Sequence, residues 1–315
     1  MAEPQHIPVL LEESLEFLNV RPGGVIVDAT LGFGGHSSAI ARKLSGAGTL
    51  ICFDRDEVAM ARAKARLDAL AEELGAEMPT VEYVARPFSE IAEVVKPGTL
   101  DGLLADFGVS SMQLDEAHRG FSFRADGPLD MRMDPRSELT AEQVVNQADE
   151  EDLANLIYEF GEERRSRRIA RAIVRARPIT TTAELARVVS ACAPPIKGEK
   201  IHPATRTFQA LRIRVNDELG EIQSLLRSAG SLLKPGGRVV MISFHSLEDR
   251  LVKDSFRESA KGDMREKRKP TLEVLTKKPV MAEEQEALRN PRSRSAKLRA
   301  AERIEKSSAK KYKKF

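Results

Sequence analysis

A glycine-rich turn between a buried strand and a helix restricts this chain more than any other stretch. Val25-Ile26-Val27-Asp28 is a short apolar run closed by an acid. Gly32, Gly34 and Gly35 follow within seven residues, and Ser37 to Leu44 has helical spacing. Glycine lets the backbone turn tightly and come close to a ligand, and the first turn of a helix offers unpaired N–H groups. About 20 residues beyond the turn, Leu50-Ile51-Cys52-Phe53 reads as a second strand ending at Asp54. That offset suits a carboxylate meeting a ribose hydroxyl. Strand, turn, helix, strand and acid make the front half of a nucleotide-type cofactor site. The pattern is not a full G-x-G-x-x-G, because Ser37 stands where the last glycine belongs, and a tight turn with no ligand is the plain alternative. No G-x-x-x-x-G-K-[ST] occurs, which excludes a P-loop. Two cofactor classes fit: a nicotinamide dinucleotide and S-adenosylmethionine.

The remaining strands place this unit in a larger sheet. Thr80 to Ala85 and Leu100 to Asp106 are apolar runs with strand character, separated from their neighbours by helical stretches that include Glu57 to Leu74. Right-handed crossovers put the four strands in one parallel sheet, and Asp106 falls at the C-terminal edge where such sheets bind ligands. Pro8 to Leu18 has a Leu11, Leu15, Leu18 stripe, and Arg86-Pro87-Phe88-Ser89 opens a further helix. After Asp106 the alternation stops. Gly108 to Asp134 is a long polar stretch interleaved with Phe121, Phe123, Leu129, Met131 and Met133, a pattern expected of an ordered functional loop.

Helices are then expected from Thr140, where Thr140-Ala141-Glu142-Gln143 approximates a capping box, to about Ala193. Glu151 to Phe160, Glu162 to Arg177 and Thr181 to Ala193 supply the other three. The stretch Glu162 to Arg177 carries seven arginines against two acids. Arg164, Arg168, Arg171 and Arg175 share one helical face, opposite Ile169 and Ile173, and such a face suits phosphate contact; a merely solvated surface is the alternative. His202 to Arg212 opens a helical run to Leu233, ended by Pro235-Gly236-Gly237. Arg238 to Ser243 is a fifth strand, with Thr271 to Thr276 and Ser295 to Ala301 as the last two.

Charge is distributed unevenly. Residues 1–120 hold 10 Lys and Arg against 19 Asp and Glu, a net −9, whereas residues 292–315 hold 10 against 2, a net +8. A basic tail beside an acidic first half suggests one face meant for a polyanion. With 41% apolar residues the chain supports a packed core. Cys52 and Cys192 fit neither a disulfide framework nor a zinc spacing, so no metal is expected and a cytoplasmic setting is. The N-terminus carries acids and no signal-peptide pattern, and no apolar run approaches the ~18 residues of a membrane span.

Together the sheet, the insertion and several uncommon motifs resemble the bacterial 16S ribosomal RNA cytosine-N4 methyltransferases, the MraW or RsmH family. The motifs are Asp28 to His36, Gly108-Val109-Ser110-Ser111, Arg119 to Asp134, Gly161-Glu162-Glu163-Arg164, His202 to Leu211 and Ile242 to Arg250, and the likeness runs from Pro8 to about Arg303. The resemblance implies an α/β class I methyltransferase fold, Rossmann-like, whose mainly parallel seven-stranded sheet ends in an antiparallel strand and carries an inserted all-helical domain. The parts are expected at 1–114, 115–212 and 213–315. It implies S-adenosylmethionine held by Gly34, Gly35, His36, Asp54, Phe88, Asp106 and Gln113, with Asp54 on the ribose hydroxyls, Phe88 against the adenine and Asp106 nearest the sulfonium. Met112 departs from the family's usual proline. The implied substrate is a cytidine in the decoding region of 16S ribosomal RNA within the 30S subunit, with no membrane partner and a homodimer left open.

The nucleophile decides the expected chemistry. A cytosine amine is weak because its lone pair is delocalised into the ring, so positioning for in-line attack is the main contribution. Asp106 is the first candidate to hold the amino hydrogens and accept a proton, and His245 the second. No Pro-Pro-aromatic follows Asp106, which leaves Phe121, Phe123, Phe244 and His245 as candidates to stack on the base. A nicotinamide-dependent dehydrogenase and a non-catalytic ribosome-assembly factor are the alternative readings.

Overall fold

The computed structural model describes residues 7–195, 201–262 and 269–305. In chain order the elements are α1 (Leu11–Leu18), β1 (Val25–Asp28), α2 (Gly35–Leu44), β2 (Thr49–Phe53), α3 (Glu57–Leu74), β3 (Thr80–Val84), α4 (Ile91–Val94), β4 (Leu100–Asp106), α5 (Ser111–Asp115), α6 (Ala141–Gln147), α7 (Glu150–Gly161), α8 (Ser166–Ala176), α9 (Thr182–Cys192), α10 (Thr205–Asn216), α11 (Glu218–Leu232), β5 (Leu233–Ser243), α12 (Ser246–Lys261), β6 (Leu272–Val274), β7 (Val280–Met281), α13 (Glu284–Arg289) and β8 (Lys297–Arg303). They fall into two compact units, Met1–Gly108 with Glu221–Phe315, and Val109–Gly220. The second unit therefore begins six residues earlier and ends eight later than the 115–212 read from sequence.

The first unit is a sheet in the order β3-β2-β1-β4-β5-β8-β6. β1, β2, β3, β4 and β5 pair in parallel, and β8 runs antiparallel between β5 and β6. The fold is the α/β, Rossmann-like methyltransferase sheet expected, with one correction: the two-residue β7 adds an eighth strand on β8. It is too short to leave a period in the sequence. Pro235-Gly236-Gly237 does not precede β5. Leu233 already pairs with Leu100, the register slips, and pairing resumes with Arg238 on Gly102.

Alternation along the strands explains the core. Val27, Phe53, Leu103, Val239 and Met241 face one side with Ile222 and Leu225 of α11 and Val252 and Phe256 of α12. Ile26, Leu50, Leu104, Val240 and Leu298 face the other with Leu15 and Leu18 of α1, Ile40 and Leu44 of α2 and Leu67 of α3. Strands covered on both faces need apolar residues at every position, hence near-continuous runs. The pairing leaves Asp28, Asp54 and Asp106 at or just past the C-terminal ends of β1, β2 and β4.

The second unit is helical. Its core takes Leu153 and Ile157 of α7, Ile169 and Ile173 of α8, Leu185 and Val189 of α9 and Phe208 and Leu211 of α10. The stretch Gly108 to Asp134 is ordered, because Phe121, Leu129, Met131 and Met133 all enter that core. Its turns are tied down: Arg119 donates from Nη2 to the carbonyls of Arg132 and Met133, both at 3.0 Å. Thr140 and Thr181 each close a capping box at the start of α6 and α9. Two helices differ from the reading of the sequence. Glu162 takes a left-handed φ of 49°, so α8 starts at Ser166 and not at Glu162. Asp217, at φ 47°, divides the run expected from His202 to Leu233 into α10 and α11.

Candidate active site and basic surface

The turn after β1 is built from hydrogen bonds that the sequence pattern only outlines. Ala29 donates to Leu104 O and Leu31 to Phe53 O, so the turn continues both neighbouring strands. Gly34 has φ +70° and caps α2, with Ala63 of α3 3.3 Å from where its side chain would begin. Gly35 is glycine for another reason: a Cβ there would stand 2.5 Å from Pro8 Cγ. Its lack of a side chain serves the packing of the segment before α1, whereas the sequence suggested ligand approach.

His36 is buried, its Nε2 donating to Val9 O at 3.0 Å, and burial pushes its pKa down to about 4. The imidazole is therefore neutral, and Nδ1 carries the lone pair, 3.9 Å from Asp106 Oδ2. Asp54 lies across the turn. Its Oδ2 accepts from Gly32 N–H at 2.8 Å and its Oδ1 from Asp56 N–H at 2.8 Å. Burial still pushes its pKa up to about 6. Each oxygen retains a second lone pair, which is the capacity a ribose diol needs. Phe88 packs on Phe107 with ring centroids 5.8 Å apart, beside Asp106 in sequence.

Asp106 is the least satisfied group of the site. Its Oδ1 is buried and has no hydrogen-bond partner among the described residues. Burial, and then the neighbouring carboxylates of Asp28 and Glu248, hold its pKa well above the usual range. A buried carboxylate without a donor is costly, and a cationic ligand or an amine donor against it would restore the charged form. Thr30, not singled out in the sequence, positions it. Thr30 Oγ1 accepts the Asp106 N–H at 2.6 Å, and Thr30 N–H donates to Asp28 Oδ1 at 3.1 Å. Ser37 Oγ donates to Asp28 Oδ2 at 2.6 Å. The available signal was the Asp-x-Thr spacing at the strand end.

His245 has another task. Its Nδ1 accepts the Glu248 N–H at 3.4 Å, while Glu248 Oε2 accepts from the N–H groups of Phe244 and His245 at 2.7 and 3.2 Å. It is the N-cap of α12. Nε2 stands 3.1 Å from Glu248 Oε1 but forms no hydrogen bond among the described residues. Phe244 borders Gly108, whose Cβ would stand 3.0 Å from it.

Gln113 belongs to the second unit. It is buried, and its Oε1 accepts the Ser110 N–H at 3.0 Å. Phe121 is buried, and Phe123 lies between His202 and Phe208.

The arginines of this unit divide by role. Arg165 donates to Glu163 Oε1 at 3.0 Å and to Pro194 O at 2.8 Å. Burial raises the Glu163 carboxyl, but the hydrogen bonds and charge of Arg165, with Arg206, bring it below the usual range. Arg177 donates to Val145 O at 2.8 Å and also to Ala148 O. Arg165 and Arg177 are therefore structural. Arg164 is exposed but precedes α8, so it does not share the face of Arg168, Arg171 and Arg175. Those three are exposed; Arg171 reaches Glu150 at 3.3 Å, and Arg168 and Arg175 form no ion pair among the described residues. The basic tail beyond residue 305 lies outside the described residues.

Residues 3–304 match the MraW methylase family. The chain belongs to that family. A ribosomal RNA small subunit methyltransferase H of Acidobacterium capsulatum is 66% identical over 303 residues, covering 96% of this chain and 100% of that protein. Proteins of the same name from Koribacter versatilis and Heliobacterium modesticaldum are 56% and 46% identical over 95% of this chain. Members of the MraW family thus match both the sheet and the helical insertion.

Proposed function

We propose that the chain transfers a methyl group from S-adenosylmethionine to N4 of a cytidine in 16S ribosomal RNA, with the 30S subunit as the substrate particle. The observation that carries this reading is Asp106, a partly buried carboxylate with one buried, unpartnered oxygen at the sheet's ligand edge, in a member of the MraW methylase family. The relatives named for the small ribosomal subunit support the substrate class.

The residues fit the cofactor. Gly34 and His36 at the start of α2, Asp54 after β2 and Phe88 after β3 would hold it. Bound there, S-adenosylmethionine supplies an electrophilic methyl group. The chain's own work is to orient the amine and take its proton. Attack by the cytosine nitrogen leaves a cationic amine that must lose a proton, and Asp106, with its raised pKa, is suited to receive it once ionised. Thr30 fixes the backbone from which Asp106 projects. Neutral His36 leaves a lone pair 3.9 Å from that carboxylate.

The test is a methylation assay on assembled 30S subunits, naked 16S RNA and a short oligonucleotide, with the modified nucleoside identified by mass spectrometry. N4-methylcytidine formed fastest on the particle is the expected result. Methyl transfer to another base would overturn the role of Asp106. Binding to the particle without any transfer would favour the non-catalytic assembly factor.

A further inference from the structure

In the second unit a stack of rings runs from the core to the surface. Phe208 is buried, Phe123 half-buried and His202 exposed. Phe123 meets Phe208 edge-on, with centroids 4.8 Å apart and planes at 71°. His202 lies over Phe123 at 4.6 Å with the planes inclined 36°. Exposed side chains usually sample several rotamers, but this imidazole is held. Its Nδ1 accepts the Ala204 N–H at 3.2 Å, its Nε2 lies 3.5 Å from Ser190 Oγ, and its own carbonyl accepts the Thr205 N–H at 3.0 Å. A planar ring fixed at the surface loses little further freedom when something stacks on it.

Its neighbours are basic. Ser190 and Cys192 form the C-terminal end of α9, and the exposed Arg187 lies one turn before Ser190 on the same face. Arg168 and Arg165 lie close enough to Cys192 for their charges to act on its thiol. Glu163, whose charge also reaches that thiol, is buried and engaged by Arg165 and Arg206. An aromatic surface flanked by arginines is the arrangement by which proteins hold unpaired nucleotides: bases stack on rings and phosphates meet guanidiniums.

We propose that the His202–Phe123 stack is a platform for an unpaired nucleobase of the RNA substrate, with Arg168 and Arg187 holding the adjoining phosphates. This rests on the reading of the chain as an RNA methyltransferase and assigns the platform to a base other than the one methylated. It differs from the phosphate surface of α8 in selecting single-stranded RNA.

The chain has no tryptophan, so His202→Trp introduces a single fluorescent reporter at the platform. The probes are a single-stranded RNA oligonucleotide and a duplex of the same composition. The single strand should quench the reporter and the duplex should not. His202→Ala should weaken single-strand binding about tenfold, while His202→Phe, which keeps the stack, should restore it. Arg168→Gln should instead flatten the salt dependence. Melting temperatures of all variants verify that the fold is intact, and S-adenosylmethionine affinity should be unchanged in each. Equal quenching by duplex and single strand, or undiminished affinity in His202→Ala while the wild type binds and methylates RNA, would overturn the platform alone. A wild type that neither binds nor methylates RNA would overturn the functional reading as well.

Discussion

The two units put charge to opposite uses. At the sheet edge of the first, Asp28 and one oxygen of Asp106 are taken out of water, and desolvation dominates their behaviour. On α8 of the second, Arg168 and Arg175 remain in water with no ion pair among the described residues. A buried charge is worth much to whatever completes it and costs much until then. An exposed charge is screened, cheap and additive. Chemistry at one atom therefore suits the first arrangement, and grip on a polyanion the second. Substitutions should fall into the same two classes, with single large effects at the sheet edge and small summed effects on the helix.

Asp106 should give the largest effect. Asp106→Ala or Asp106→Asn is expected to slow single-turnover methyl transfer about 10²–10⁴-fold, the range for a lost acid–base group. The same Asn variant should melt higher than the wild type, because a carboxylate with a buried, unpartnered oxygen has been removed. The sign with pH is fixed. Asp106 has a folded pKa above its unfolded value, so the folded state is penalised once the unfolded chain ionises, and the penalty grows as pH rises. The advantage of Asn should thus vanish below about pH 4, where the carboxyl is neutral in both states. A variant that is both slower and less stable at neutral pH would break the contrast with the arginines.

Asp54 comes next. Asp54→Ala should weaken S-adenosylmethionine binding by about 1–3 kcal/mol, the cost of orphaning hydrogen-bonded groups. Because its pKa is pushed up to about 6, the carboxylate gains a proton as pH falls through that value and loses accepting capacity. Calorimetry of the wild type should show affinity declining below about pH 6, and Asp54→Asn should lack that inflection.

Arg177 sharpens the comparison from the other side, as an arginine of the basic stretch that serves the fold. Arg177→Ala leaves the carbonyls of Val145 and Ala148 without their donor and should cost about 1–2 kcal/mol in denaturant unfolding. RNA binding by the folded fraction should keep its salt dependence.

These cases also show which features could be read from sequence. The strands were legible because β1, β2 and β4 are covered on both faces and need unbroken apolar runs, and α3 because its periodicity and its Asp56 cap agree. The acids at the strand ends followed from strand length alone. What local pattern could not supply was the partner of each side chain. Gly35 is explained by Pro8, His245 by Glu248, and Arg165 by Glu163 and Pro194. In the arginine stretch, helical spacing grouped Arg164 with Arg168, but the left-handed Glu162 breaks the helix before it forms. Thr30 was missed because its role depends on β4 lying beside β1, which no window of sequence contains.

The smallest effects are expected on α8, and they separate its arginines from one another. If Arg168 and Arg175 each neutralise a phosphate, each substitution to Gln should reduce the log–log salt slope of RNA binding by about 0.7–0.9, and the pair should add. Arg171 differs, because its guanidinium stands 3.3 Å from Glu150 with both side chains largely exposed. An exposed pair of this kind is weak, about 0–1 kcal/mol, so the phosphate can compete for Arg171 but must first displace the carboxylate. Arg171→Gln should therefore change the slope less than Arg168→Gln does, and Glu150→Gln should strengthen RNA binding slightly by freeing Arg171. Salt titrations of the three single variants and of Glu150→Gln would decide it. Equal slopes for Arg168→Gln and Arg171→Gln would show that the ion pair is absent in solution. An unchanged slope in the Arg168, Arg171 and Arg175 triple variant would show that this face only meets solvent.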